Sequence, residues 1–160
     1  MEARPTEFRG ITYRSKCEAM FALWLELRNS SDVVIEYEPD WAELEDYVPD
    51  FAVFRPLNAG ERIPQFETSI EIIEYKPSRP TFTYVKDCMA KNATIIETFF
   101  KSPRYDEKAI SVYFGSVYSE DRGVFTYNGN GSFGVASMDW MRGHEKTIRD
   151  FRFDLEAEPC

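Results

Sequence analysis

Apolar positions along the chain change period several times, and each change marks an element. In RSKCEAMFALWLELR (Arg14–Arg28) Cys17, Met20, Phe21, Trp24 and Leu27 recur every three or four residues, a helical period. Ala22 and Leu25 add a second stripe, so most of this helix is expected to be buried. Asn29-Ser30-Ser31-Asp32 breaks the pattern as a turn. Val33–Tyr37, rich in β-branched and aromatic residues, predicts a strand that ends before Pro39, and Asp50–Arg55 predicts a second. Pro56–Pro64 reads as a loop, and TSIEIIEYK (Thr68–Lys76) as a central strand bounded by Pro77. Phe82, Val85, Met89, Ala93, Ile96 and Phe99 return to helical spacing, with Thr81 or Ser78 as the N-cap. Ala109–Phe114 is expected as a strand, and Val124–Tyr127 and Ser132–Val135 as a hairpin around Asn128-Gly-Asn-Gly131. Met138–Ile148 is read as a short helix, Phe151–Leu155 as a last strand and Glu156–Cys160 as a frayed tail. This order of elements predicts an α/β fold, a mixed β-sheet with a helix on each side. A length of 160 residues, with 43% hydrophobic and 16% aromatic, fits one domain over residues 1–160 with a substantial core.

Charge changes the picture less than its sum suggests. The formal net charge of −9 argues against a nucleic-acid partner, whose phosphates normally meet a basic surface. Yet twelve acids and only two bases, Arg55 and Arg62, fall between Asp32 and Glu74, and the rest holds 16 acids and 17 bases. The chain is near neutral with one strongly acidic segment. Three cysteines far apart, Cys17, Cys88 and Cys160, make neither a disulfide framework nor a CxxC zinc pattern, which suits a reducing, cytoplasmic setting. The N-terminus is polar, unlike a signal peptide, and no apolar run approaches the roughly 20 residues of a membrane span, so no membrane association is expected. With His144 the one histidine, multi-histidine metal sites are excluded and chemistry would fall to carboxylates and lysine.

The candidate chemistry lies in Asp50, Glu74 and Lys76. Glu74 and Lys76 are two apart on a strand and share a face with Ile72, whereas Glu71, Ile73 and Tyr75 take the other. An acid and a base on an apolar strand are costly to bury without a partner, and a divalent cation is one such partner. If the two strands are neighbours, Asp50 can reach Glu74. Val48-Pro49-Asp50-Phe51 and Ile73-Glu74-Tyr75-Lys76 resemble the PD…(D/E)xK motif of the PD-(D/E)xK nuclease superfamily. Tyr13-Arg14-Ser15-Lys16-Cys17-Glu18-Ala19 is similar to the helix start of its small phage and transposon-type members, and Lys76-Pro77-Ser78-Arg79-Pro80-Thr81 to the segment after their lysine. The resemblance spans about residues 8–114 and leaves 115–160 as an extension without a matching motif. It implies a restriction-endonuclease-like core and metal-dependent hydrolysis of DNA phosphodiester bonds. Asp50, Glu74 and the Tyr75 backbone carbonyl would then bind Mg²⁺ or Mn²⁺, with Glu18 completing the acidic cluster and helping a second metal, and Lys76 positioning the nucleophilic water or stabilising the pentavalent transition state. Arg14, Lys16, Arg79 and Lys86 would contact DNA. The implied setting is phage or mobile-element DNA processing in the host cytoplasm, by nicking or by cutting branched DNA such as Holliday junctions. A homodimer or a partner protein would supply basic surface.

Each residue also has a structural reading. Ser15-x-x-Glu18 is a capping-box pattern, Asp50 suits a turn after Pro49, and Glu74 with Lys76 suits a plain ion pair. Twenty-three residues between Asp50 and Glu74 is a long spacing, and Glu36–Asp46 is more acidic than catalysis requires. An inactive, nuclease-like acidic protein that imitates DNA is the alternative. Gly129–Gly134 satisfies GxGxxG but sits between strand-like segments, so it is read as a hairpin turn. Tyr113, Phe114, Tyr118, Phe125, Tyr127 and Phe133 are read as sheet core rather than base-stacking residues. The C-terminal bases Arg142, His144, Lys146, Arg149 and Arg152 suit either a solvated face or a DNA-facing patch.

Overall fold

A computed structural model describes residues 5–29, 31–56, 68–99, 110–129, 131–136 and 139–153. Its main body is a six-stranded sheet in the order β3-β4-β5-β6-β7-β8. The strands are β3 (Val34–Tyr37), β4 (Phe51–Pro56), β5 (Thr68–Lys76), β6 (Ile110–Phe114), β7 (Gly123–Gly129) and β8 (Ser132–Ala136). Only β5 and β6 run parallel; every other pair is antiparallel. A parallel pair needs a crossover, which here contains α2 (Phe82–Phe99).

The sheet is covered on both faces, as the alternation of its strands requires. Phe51, Val53, Ile73, Tyr75 and Tyr113 join Met20, Phe21 and Trp24 of α1 (Lys16–Arg28) in one core. Ala52, Ile70, Ile72, Val112, Phe114 and Phe125 join Val85, Met89 and Ile96 of α2 in the other. Ser15 caps α1, its hydroxyl accepting from the Glu18 amide at 3.2 Å. Thr81 caps α2 in the same way, accepting from Tyr84 at 3.1 Å. The α/β mixed sheet with a helix on each side is therefore as the sequence pattern indicates.

Several boundaries differ. A hairpin precedes α1, β1 (Thr6–Phe8) with β2 (Ile11–Tyr13), turning through Arg9 and Gly10, both at positive φ. Its strands are too short to show a period, and they place Phe8 and Tyr13 in the α1-side core. The expected helix at 138–148 shrinks to α3 (Glu145–Asp150), with 140–144 in turns. Phe151–Phe153 is not a strand; Phe151 and Phe153 pack edge-on against Phe8 instead, and Leu155 lies outside the described residues. The Pro56–Pro64 loop also lies almost wholly outside them. Cys88 is free and buried, and Cys160 lies outside the described residues. Among the described residues no helix is long and apolar enough to cross a membrane.

The described part of 115–153 belongs to the same body. β7 and β8 extend the sheet, Trp140 donates to the Phe114 carbonyl at 3.0 Å, and Ile148 is in the α1-side core. Gly115 ends β6 at φ +105, its amide donating to Lys76 O at 2.9 Å. A Cβ there would meet Asp121 O at 2.8 Å and Arg122 Cα at 2.9 Å, both backbone. Gly115→Ala should therefore lose about 1–3 kcal/mol to backbone strain, with the clash adding to it. An unchanged midpoint in denaturant unfolding would contradict this.

Candidate functional site

Asp50 is the hub. It precedes β4, whose first residue Phe51 pairs with Ile73, so Asp50 sits beyond the β4 edge beside Glu74 and Tyr75. One carboxylate oxygen accepts from the Tyr75 amide at 2.8 Å and the other from Arg14 Nη2 at 2.9 Å. The Tyr75 amide points at Asp50, and the Lys76 carbonyl points the opposite way, to Gly115 on the β6 side. Because peptide groups alternate along a strand, the Tyr75 carbonyl faces the Asp50 side. Tyr75 is held there by its ring, stacked on Phe21 at 4.5 Å, and by its hydroxyl, which donates to the Gly115 carbonyl.

Glu74 lies on the α2 side of β5 and is 3% exposed, against 6% for Asp50. Burial and the neighbouring Asp50 charge push its carboxyl well above the usual carboxylate range; Tyr47 and Lys76 pull the other way. A hydrogen bond with Asp50 also raises it, which favours the form of Glu74 that keeps its proton. Two carboxyl groups this close and this buried require either that proton or a cation between them. Lys76 shares the Glu74 face, with Nζ 4.9 Å from the Tyr84 ring centroid.

Glu18 reaches Asp50 through an arginine rather than directly. Arg14 Nη2 lies 3.2 Å from one Glu18 oxygen while it holds Asp50, and the Tyr37 hydroxyl donates to the same Glu18 oxygen at 3.0 Å. The Ser15 hydroxyl donates to the other at 3.4 Å, so Glu18 both sits in a capped helix start and joins the acidic cluster. Burial pushes the Glu18 carboxyl up, and Arg14 opposes it. Arg14, expected at DNA, thus already supplies positive charge to the Glu18–Asp50 edge, whereas the positive charge acting on Glu74 is that of Lys76.

The other expected DNA contacts separate. Lys16 is buried at 9% exposure. Arg79 is clamped in two bonds to Asp121, at 2.8 and 2.9 Å, and lines a cavity of about 310 Å³ with Lys76, Pro77, Thr81 and Tyr84. Lys86 is exposed on α2.

Sequence reasoning missed Tyr47. Its hydroxyl donates to Glu74, and its backbone closes a two-residue turn with Leu44 through paired bonds of 2.9 Å. Glu45 and Asp46 occupy that turn at positive φ, where Asn-Gly is the usual signal, so the acidic pair hid it. Asn92 of α2, fully buried beside the Tyr47 hydroxyl, has neither amide atom in a well-formed hydrogen bond. A buried asparagine whose amide atoms lack a well-formed hydrogen bond is a signal that no sequence pattern carries. The acidic run around it has local roles as well: Glu36 accepts from the Trp41 indole at 2.5 Å, and Glu38 lies 3.6 Å from Arg14.

Neither a family model, nor a curated protein, nor a solved structure matches this chain. Among the described residues no three His, Cys, Asp or Glu side chains converge as a metal cage. Two adjacent buried carboxylates and a backbone carbonyl on the same side nevertheless form an oxygen-only donor set, the kind that suits Mg²⁺ or Mn²⁺, which retain several waters.

The raised Glu74 carboxyl has a consequence for stability. A group whose folded pKa is raised contributes stability below its unfolded value, here 4.5, and loses it as pH rises through the folded value. In EDTA, Glu74→Gln should therefore stabilise the protein relative to wild type by an amount that grows from pH 4.5 upward. Saturating Mg²⁺ should narrow the gap. Thermal melts of both proteins across pH check this, and a gap independent of pH would contradict a raised Glu74.

Proposed function

We propose that the protein is a metal-dependent endonuclease that hydrolyses DNA phosphodiester bonds. The observation that carries this reading is the buried Asp50–Glu74 carboxylate pair at the β4–β5 edge, with Lys76 on the Glu74 face. The mixed sheet with α1 and α2 on opposite faces is consistent with a restriction-endonuclease-like core.

In this reading Asp50, Glu74 and the Tyr75 carbonyl hold Mg²⁺ or Mn²⁺. A bound ion of this kind lowers the pKa of a coordinated water and offsets charge on a phosphate. The Tyr75 amide and Arg14 fix the two Asp50 oxygens and so orient the carboxylate. Tyr47 fixes Glu74. Lys76 brings an ammonium to the mouth of the cavity it shares with Arg79 and Tyr84, where it would meet charge developing on the scissile phosphate. One such site cuts one strand, so double-strand cleavage would require a second copy or a second binding event.

The test incubates the protein with supercoiled plasmid and with four-way-junction DNA, in Mg²⁺, Mn²⁺ or EDTA. Cleavage confined to the metal-containing reactions is expected. Intact substrate in both metals, across duplex, branched and single-stranded DNA, would contradict the reading and leave the DNA-imitating alternative.

A further inference from the structure

A second cavity lies at the other end of α1. It has a volume of about 310 Å³ and is lined by Trp24, Arg28, Tyr113, Trp140, Arg142 and His144. Ten residues separate Glu18 from Arg28 on the helix, about 15 Å along its axis, so this cavity is distinct from the carboxylate pair.

Its chemistry is opposite to that of the chain as a whole. Trp24, Tyr113 and Trp140 pack against one another at centroid distances of 4.8–5.6 Å and are almost wholly buried, forming an aromatic floor. Arg28 lies over this floor, 5.1 Å from the Trp24 ring, with one nitrogen donating to the Tyr113 hydroxyl at 2.6 Å. Arg142 and His144 reach the rim from the turn before α3. Among the described residues none of these three side chains has a carboxylate partner. The acid that acts on Tyr113, Glu71, is already taken by Arg55 at 2.8 Å and Ser111 at 2.9 Å. In a protein of net charge −9, two guanidinium groups and an imidazole converge on one concavity without a counter-charge among the described residues.

We propose that this cavity binds the phosphomonoester group of a nucleotide. A guanidinium presents a planar fork of donors that matches phosphate oxygens, and two of them with an imidazole suit an oxyanion with three free oxygens better than a carboxylate with two. The aromatic floor provides apolar contact for the rest of the molecule, and the volume is at the small end of ligand pockets, roughly 300–1,000 Å³. The same group occurs on a free nucleotide and at the phosphorylated terminus of a nucleic-acid strand. The site does not rest on the nuclease reading.

Calorimetric titration in EDTA, which removes any contribution from a metal centre, tests the proposal. The probes are deoxyadenosine monophosphate, deoxyadenosine, and one oligonucleotide with and without a 5′-phosphate. The monophosphate should bind saturably and more tightly than the nucleoside if free nucleotide is the source. If a strand terminus is the source, the phosphorylated oligonucleotide should bind more tightly than its unphosphorylated twin. Arg142→Gln should weaken the binding at least about tenfold, because a charge-assisted bond is lost. Arg142 makes no side-chain contact that the fold needs among the described residues, so this variant should melt as wild type does. His144→Gln provides a second such variant. The proposal is overturned if neither phosphorylated probe binds, if the phosphate adds nothing on either, or if both variants bind as wild type does.

Discussion

Asp50→Ala should lose metal-dependent DNA cleavage completely, and Lys76→Ala should lose at least about a hundredfold of it, but for different reasons. Asp50 joins the Arg14 and Tyr75 ends of the site, and its carboxylate is one of the pair at the β4–β5 edge. Without it both metal binding and turnover should go. Lys76 is on the Glu74 face but supplies no oxygen, so Lys76→Ala should still bind Mn²⁺ while failing to cut. Comparing cleavage rate with metal affinity in the two variants separates the roles. A Lys76→Ala protein that cuts at the wild-type rate would remove the lysine from the mechanism.

Phe21→Ala should be the most destabilising core change, at about 3–5 kcal/mol. Phe21 is fully buried, stacks on Tyr75 at 4.5 Å, and touches Trp24, Phe51, Tyr113 and Trp140 with centroids 5.3–5.5 Å away. It joins α1 to the middle of the sheet and braces the residue whose amide holds Asp50. In a chain of this size such a loss lowers Tm by roughly 6–20 °C. Cleavage by the variant at a temperature where it remains folded should also drop, because Tyr75 loses the surface that orients it. A Tm within about 2 °C of wild type would show that the α1-side core does not depend on this ring.

Legibility in the sequence followed the length and regularity of each signal. β5 is legible from Thr68 to Lys76 because nine residues of β-propensity end at Pro77, and the α2 cap narrows to Thr81 or Ser78 because a place before an amphipathic helix is a local feature; contacts in the fold select Thr81. The β1–β2 hairpin and the Leu44–Tyr47 turn were not found, since three-residue strands have no period and Glu45-Asp46 does not look like a turn at positive φ. Phe151 and Phe153 alternate as a strand would, but tertiary packing on Phe8 decides their conformation. The site divides in the same way. Glu74 and Lys76 could be put on one face by counting, and Asp50 near them by adjacency of strands. That Arg14 would stand between Glu18 and Asp50, or that Tyr47 would reach Glu74, depends on contacts across 36 and 27 positions of the chain, which no local pattern records.

The two charged features together revise the meaning of the acidic composition. Part of the negative charge is gathered at a carboxylate pair that suits a divalent ion, and bases without a carboxylate partner among the described residues are gathered at a separate cavity under the far end of α1. A net charge of −9 therefore describes neither surface.

In the proposed reading Asp50 and Glu74 form one divalent-cation site. Titrating Mn²⁺ into the protein while following free Mn²⁺ by electron paramagnetic resonance tests it most directly. Saturable binding that competes with Mg²⁺ and disappears in both Asp50→Asn and Glu74→Gln is the predicted result. Wild-type protein that leaves Mn²⁺ free, or binding that survives both substitutions, would contradict it.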